Sequence, residues 1–319
     1  MEEKIILGLD IGGTSIKSGL VNERGLLKDF QSIPTNSRQG PDHVLDTIKN
    51  LIKSYQEQNA LQGIGIALAG SIERTTGNCL YSPNLHWNNI NFGKIIEQSA
   101  GLEVRLINDA NAACLGEFFH GAGKSYHNIL CITLGTGIGS AVILDKKLFT
   151  GTSGFAPEAG HMILKKDGPL CSCGNKGCWE TLVSASAIIK KISAKIQSGE
   201  YPINQFTKGS NDSFTLQDIF KAWQEGEPQA VEIITEVKEY LALGLANLIN
   251  IFNPQCLILG GGIIELNDAL LIGLDDMVKK LTFPTFKNQI IIKKAKLGNK
   301  AGLIGGASLF FKEIETLGG

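Results

Sequence analysis

The sequence has almost no net charge: 30 Lys and Arg stand against 31 Asp and Glu, leaving −1. Without an excess of either sign, nothing draws the chain electrostatically toward nucleic acid or an anionic membrane, and neither is expected as a partner. It has no run approaching the ~20 apolar residues a membrane-spanning helix needs. Met1-Glu2-Glu3-Lys4 leads into an apolar run broken at Asp10, too short for the core of a secretory leader. A GxxxxGK[ST] loop is absent, which argues against a Walker-type phosphate site, and no GxGxxG opens a helix, which argues against a dinucleotide fold. The seven cysteines are an odd number; Cys171, Cys173 and Cys178 cluster, while Cys79, Cys114, Cys131 and Cys256 lie scattered among apolar residues. That distribution speaks for a reducing, cytoplasmic setting with one metal site rather than a secreted disulfide framework.

What the chain does have is size and glycine. Its 319 residues, 43% apolar and 19% charged, suffice for two cores. The 38 glycines gather in short turns. Ile5–Ile11 reads as a buried strand that stops at Gly12-Gly13-Thr14 and resumes as Ile16–Val21. A second cycle opens at Asn128: strand Ile129–Leu134, the turn Gly135-Thr136-Gly137-Ile138-Gly139, and a returning strand Ala141–Leu144. Such a repeat of strand, glycine turn and strand, each followed by strand–helix alternation, predicts two α/β lobes around a central cleft. The expected division is 1–109 plus 302–319 for a small lobe and 110–301 for a large one. A helical pattern over about 230–252, with Val231, Ile234, Val237, Leu241, Leu245 and Leu248 on one stripe, is expected to build the large-lobe core. Trp87 is expected to pack, and His43 and His127 to lie at the surface.

Glycine in both turns lets backbone N–H groups approach an anion, which a side chain would hold away. Thr14 and Thr136 add hydroxyl donors, and Asp10 before the first turn suits Mg²⁺ held through water. Each turn alone is equally a tight hairpin; two at matching places, with Gly260-Gly261-Gly262 further on, favour polyphosphate binding. The second cluster is His161, Cys171, Cys173 and Cys178. Three thiolates and one imidazole, with Gly168, Pro169, Gly174 and Gly177 allowing the chain to wrap, fit a closed tetrahedral structural zinc site. Zinc there should order the loop carrying Glu158 and Glu180.

These motifs, in order, resemble the ROK family of sugar kinases and related repressors, which have the actin-like ATPase (ribonuclease H-like) fold. The matching segments are Asp10–Thr14, Ser82-Pro83-Asn84-Leu85, Asn108-Asp109-Ala110-Asn111-Ala112, Gly135–Gly139, Glu158–His161, Cys171–Glu180 and Gly260–Gly262. The resemblance implies that Asp109 is a catalytic base and that Asn84, Asn108, Asp109, Glu158, His161 and Glu180 hold sugar hydroxyls, with His161 serving zinc as well. It implies ATP on Gly12, Gly13, Thr14, Gly135, Thr136, Gly137 and Gly139, with Gly260, Gly261 and Gly262 near the adenosine, and a homodimer. Glucose, converted to glucose 6-phosphate, is the acceptor favoured by analogy; N-acetylmannosamine, N-acetylglucosamine and fructose kinases share the motif set. Ala69-Gly70-Ser71-Ile72-Glu73 departs from the family pattern in the sugar-side loop. By its position alone, Asp109 suits a helix cap as well as a reacting carboxylate. A sugar-responsive repressor would carry an N-terminal helix-turn-helix domain, for which a first strand at residue 5 leaves no room.

Overall fold

The computed structural model describes residues 4–73, 76–201 and 214–318. Strands β1 (Ile5–Ile11), β2 (Ser15–Asn22) and β3 (Leu27–Pro34) form an antiparallel meander. Helix α1 (Pro41–Gln56) follows, with proline in its first turn, where a missing N–H costs nothing. Strand β4 (Ile64–Leu68) is buried throughout. Then come β5 (Ser71–Glu73), β6 (Asn78–Ser82) and β7 (Trp87–Ile90), helix α2 (Phe92–Ala100), strand β8 (Val104–Asn108) and helix α3 (Asp109–His120). The second cycle supplies β9 (Ile129–Leu134), β10 (Ile138–Leu144) and β11 (Lys147–Gly151). Helices α4 (Glu180–Val183), α5 (Ala185–Gln197), α6 (Leu216–Gln224) and α7 (Pro228–Phe252) lead to β12 (Cys256–Gly260). The chain closes with α8 (Gly262–Leu266), α9 (Leu274–Leu281), β13 (Ile291–Lys294), α10 (Ala301–Ser308) and β14 (Thr316–Gly318).

Two compact units result: 1–131, 141–157 and 295–319 make the first, and 132–140 with 158–294 the second. The first is built on a sheet of order β3-β2-β1-β4-β8, with β1, β4 and β8 parallel. Alternation along β1 divides its side chains between two layers, as the period of a strand requires. Leu7, Leu9 and Ile11 join the cluster formed with α1 and α2, including Val44, Ile48, Ile52, Phe92 and Ile96. Ile6 faces the other way and packs with Leu303, Ile304, Ala307 and Phe310 of the C-terminal segment.

Helix α10 lies unusually close to its neighbours because glycines meet it. A Cβ on Gly65 of β4 would collide with the Gly306 carbonyl, and one on Gly305 with the Ala112 carbonyl of α3. That contact is why α3 belongs to the first unit, whereas the sequence reading began the large lobe at residue 110.

In the second unit, β12 and β13 run parallel. Helix α7 buries Ile234, Val237, Leu241, Leu245 and Leu248, while Val231 is 38% exposed. Gly244 opens space for the Trp179 ring, whose Nε1 donates to Tyr240 O at 2.9 Å. The helix stops at Asn253 in the left-handed conformation, just ahead of Pro254. Among the described residues, no helix is long and apolar enough to cross a membrane.

Candidate active site and metal centre

The parallel register of the first unit decides where its polar residues gather. Ile11 is level with Leu68, and Leu68 with Asn108. The turns after β1, β4 and β8 therefore leave the same carboxyl edge of the sheet, the edge at which open α/β sheets bind ligands. Gly12–Thr14, Ala69–Ser71 and Asn108–Asp109 emerge there side by side. Hydrogen bonds tie them together: Asn108 Nδ2 donates to Gly70 O at 3.1 Å, and Ser82 Oγ donates to Ala69 O. Asn84 is held against the first turn, for a Cβ on Gly13 would come within 2.7 Å of the Asn84 carbonyl oxygen.

The first turn is braced from behind. Gly12 N donates to Ser15 O at 3.0 Å, Thr35 Oγ1 to Gly12 O at 2.6 Å, and Ser37 Oγ to Gly13 O at 3.2 Å. Among the described residues, the amides of Gly13 and Thr14 carry no intramolecular partner, so they remain available to an anion. Asp10 lies on the α10 side of β1, where Gly302 admits it: a Cβ there would stand 2.9 Å from the carboxyl carbon. Lys17, level with Asp10 on β2, pairs with it at 3.0 Å.

At the front of α3 the cap is Asn108. Its Oδ1 accepts from Ala110 N at 2.9 Å and Asn111 N at 3.1 Å. Asp109 is the first helical residue instead, and Asn108 Nδ2 donates to its Oδ1 at 3.0 Å. The cap position is thus filled by Asn108, and the Asp109 carboxylate, whose Oδ1 also accepts from Ala110 N at 3.0 Å, sits within the positive end of the helix dipole.

The second glycine turn joins β9 to β10 within the second unit. Gly135 N donates to Gly137 O at 2.9 Å, and Ile138 N donates to Glu180 Oε2 at 3.0 Å. The amides of Thr136 and Gly137 have no intramolecular partner among the described residues. Gly261, with φ of 91°, lies against the backbone of Leu134, so Gly260–Gly262 stands beside this turn. Glu158 is open to solvent on one side, yet the protein packed around its carboxyl raises its pKa; His161 opposes that shift and Glu180 adds to it. Glu158, His161 and Glu180 therefore share one electrostatic neighbourhood.

His161, Cys171, Cys173 and Cys178 come together, with all four ligand atoms within 4.8 Å of one another. Cys171 Sγ is 3.5 Å from His161 Nδ1, and Cys173 Sγ is 3.6 Å from Cys178 Sγ. A tetrahedron with Zn–S near ~2.3 Å and Zn–N near ~2.05 Å has S···S edges of about 3.8 Å and N···S edges of about 3.6 Å. The donors and their spacing therefore fit zinc, and the sulfur distances exclude a disulfide. Burial pushes the Cys178 thiol up to about 12, with the neighbouring thiols adding to it, while the Asn175 backbone hydrogen bond holds Cys173 down to about 7.

The remaining residues take plain roles. Trp87 is buried and packs on Phe92 with ring centroids 5.1 Å apart. His127 is exposed and His43 half-buried. Sequence reading missed the antiparallel sheet β5–β6–β7, which carries the Ser82–Asn84 segment, and the contact of Glu180 with the second turn. The first left only weak alternation as a signal; the second left none.

The architecture is the actin-like ATPase fold that the sequence predicted: a solved ROK glucokinase of Streptomyces griseus, in complex with glucose and AMPPNP, superposes with TM-score 0.85 at 33% identity, covering 96% of this chain and 98% of that one. The ROK family model matches residues 6–313, and the chain belongs to that family. A glucokinase of Streptomyces coelicolor is 34% identical over 311 residues, spanning 96% of this chain and 97% of that protein. A xylose repressor of Bacillus spizizenii is 31% identical over 312 residues, spanning 97% of this chain but 77% of the repressor.

Proposed function

We propose that the protein is an ATP-dependent sugar kinase, with glucose as the favoured acceptor and glucose 6-phosphate as the product. The observation that carries this reading is the placement of Asp109: level with the first glycine turn at the carboxyl edge of the sheet, and at the front of α3 with the Asn108 amide donating to its carboxylate. A sugar hydroxyl is a weak nucleophile, so its transfer chemistry asks for positioning, charge stabilisation and an acceptor for the proton. Asp109 accepts that proton. Asn84, Asn108, Glu158, His161 and Glu180 hold the sugar's other hydroxyls, and the unpartnered amides of the two turns hold the phosphates. Asp10 would hold Mg²⁺ through water, and the ion would supply charge neutralisation for the triphosphate. Zinc on the Cys/His cluster is structural: four protein ligands leave no position for a reactant.

The preference for glucose rests on the glucokinase relatives, and the competing acceptors are N-acetylmannosamine, N-acetylglucosamine and fructose. The repressor relative favours a second reading, a sugar sensor without turnover. ATP consumption with Mg²⁺, measured over hexoses and N-acetylhexosamines, separates these. Strong turnover with glucose is expected, and Asp109→Asn should lose about 10²–10⁴-fold in kcat. Sugar binding without turnover in zinc-loaded, folded protein would overturn the kinase in favour of the sensor.

A further inference from the structure

Resting on the kinase reading, we propose that Glu180 is a positioning residue for the second phosphate turn. The motif resemblance places Glu180 among the sugar ligands, but one of its carboxylate oxygens is already committed: Oε2 accepts the Ile138 N–H at 3.0 Å. Gly137 is shaped by the same contact, because a Cβ there would run into Glu180 Oε2.

Further ties come from the same stretch of chain. Ala185 N donates to Gly135 O at 2.9 Å, and Ala159 N to Ser140 Oγ at 3.0 Å. Gly160 lies so near Ile138 that a Cβ would reach its carbonyl oxygen at 2.7 Å. The turn is thus held at both ends and in the middle by residues flanking the Cys/His cluster, and Glu180 provides a side-chain contact to its middle.

A carboxylate beside an anion-binding turn is electrostatically unfavourable unless its oxygen does structural work on the backbone. Here it accepts the Ile138 amide and so fixes the Gly137–Ile138 peptide plane, which adjoins the two planes bearing the available Thr136 and Gly137 N–H groups. The Oε1 atom is left to meet a sugar hydroxyl. Glu180 therefore serves the donor turn and the acceptor sugar with different atoms.

The test separates reach from charge. Glu180→Asp keeps the charge but is one methylene short of Ile138 N; Glu180→Gln loses the charge but keeps an oxygen at that distance. AMPPNP binding is measured by calorimetry on zinc-replete full chain, without sugar, after circular dichroism and metal analysis show each variant folded. Because the shorter carboxylate no longer reaches the Ile138 amide, the aspartate variant should bind AMPPNP about tenfold more weakly. The glutamine variant should stay within about threefold of wild type, while both lose sugar affinity. Equal AMPPNP affinity in wild type and Glu180→Asp, or a loss confined to Glu180→Gln, would overturn the positioning role. Failure of the wild type itself to bind AMPPNP would overturn the kinase reading as well. If the aspartate variant fails to fold, protection of the Ile138 amide from hydrogen exchange in the wild type decides: a rapidly exchanging amide overturns the proposal.

Discussion

Replacing Asn108 isolates the two jobs that one side chain performs. Its Oδ1 caps α3 by accepting two backbone amides, and its Nδ2 donates to Gly70 O and to the Asp109 carboxylate. Asn108→Ala removes both. Loss of the cap should cost about 1 kcal/mol of stability. Loss of a hydrogen bond to a charged acceptor is worth about 1.5–3 kcal/mol. If that interaction orients Asp109 in the transition state, the loss appears as roughly 10–100-fold in kcat. Asn108→Ser separates the terms, because serine is a good cap but has no amide to reach Gly70 or Asp109. Urea unfolding and steady-state kinetics should therefore show the serine variant recovering most of the stability while its kcat stays low. Recovery of kcat together with stability would refute the claim that Asn108 orients the aspartate, and leave it as a cap alone.

Two further outcomes follow from the same geometry. Metal analysis of the purified chain should find about one zinc ion per molecule, and Cys173→Ser should weaken its retention and open 158–180 to proteolysis. Zinc-free protein that folds and resists proteolysis as well as the holo form would remove the cluster's structural role. His120, whose Nε2 is buried without a partner among the described residues, has its pKa lowered by burial and by Lys312 and Lys124, with a backbone hydrogen bond at Arg24 working the other way. The folded state thus binds fewer protons there than the unfolded chain. Its contribution is present above the ordinary histidine value of 6.5 and lost as pH falls through the lowered folded value. Unfolding free energy measured from about pH 7.5 down to about pH 5.5 should fall less in His120→Phe than in wild type; identical slopes would count against it.

What the sequence revealed and what it withheld divide along a physical line. The glycine turns, the strands beside them and the Cys/His spacing were legible because each is a local pattern: a period, a turn composition, a set of soft ligands close along the chain. The long helix was legible from its stripe, although the structure begins it at Pro228 and leaves Val231 outside. The cap at α3 was ambiguous because Asn108 and Asp109 are both good capping residues. The pairing of Lys17 with Asp10, directly across the hairpin, depends on a register that spacing alone does not give. The β5–β7 sheet escaped notice because its strands are only three to five residues long. Glu180 looked like one more sugar ligand, since a hydrogen bond to an amide forty-two positions away leaves no trace in spacing.

The glycine contacts of α10 also bear on how the molecule comes into being. Helix α3, which begins with Asp109, packs tightly against α10, and the whole second unit lies between the two in sequence. Newly made chain therefore leaves the ribosome with the helix that Asp109 opens still uncovered along one side, and the second unit can form before the first is finished. Loss of residues 301–310 would strip the packing from β1, β4 and α3 together.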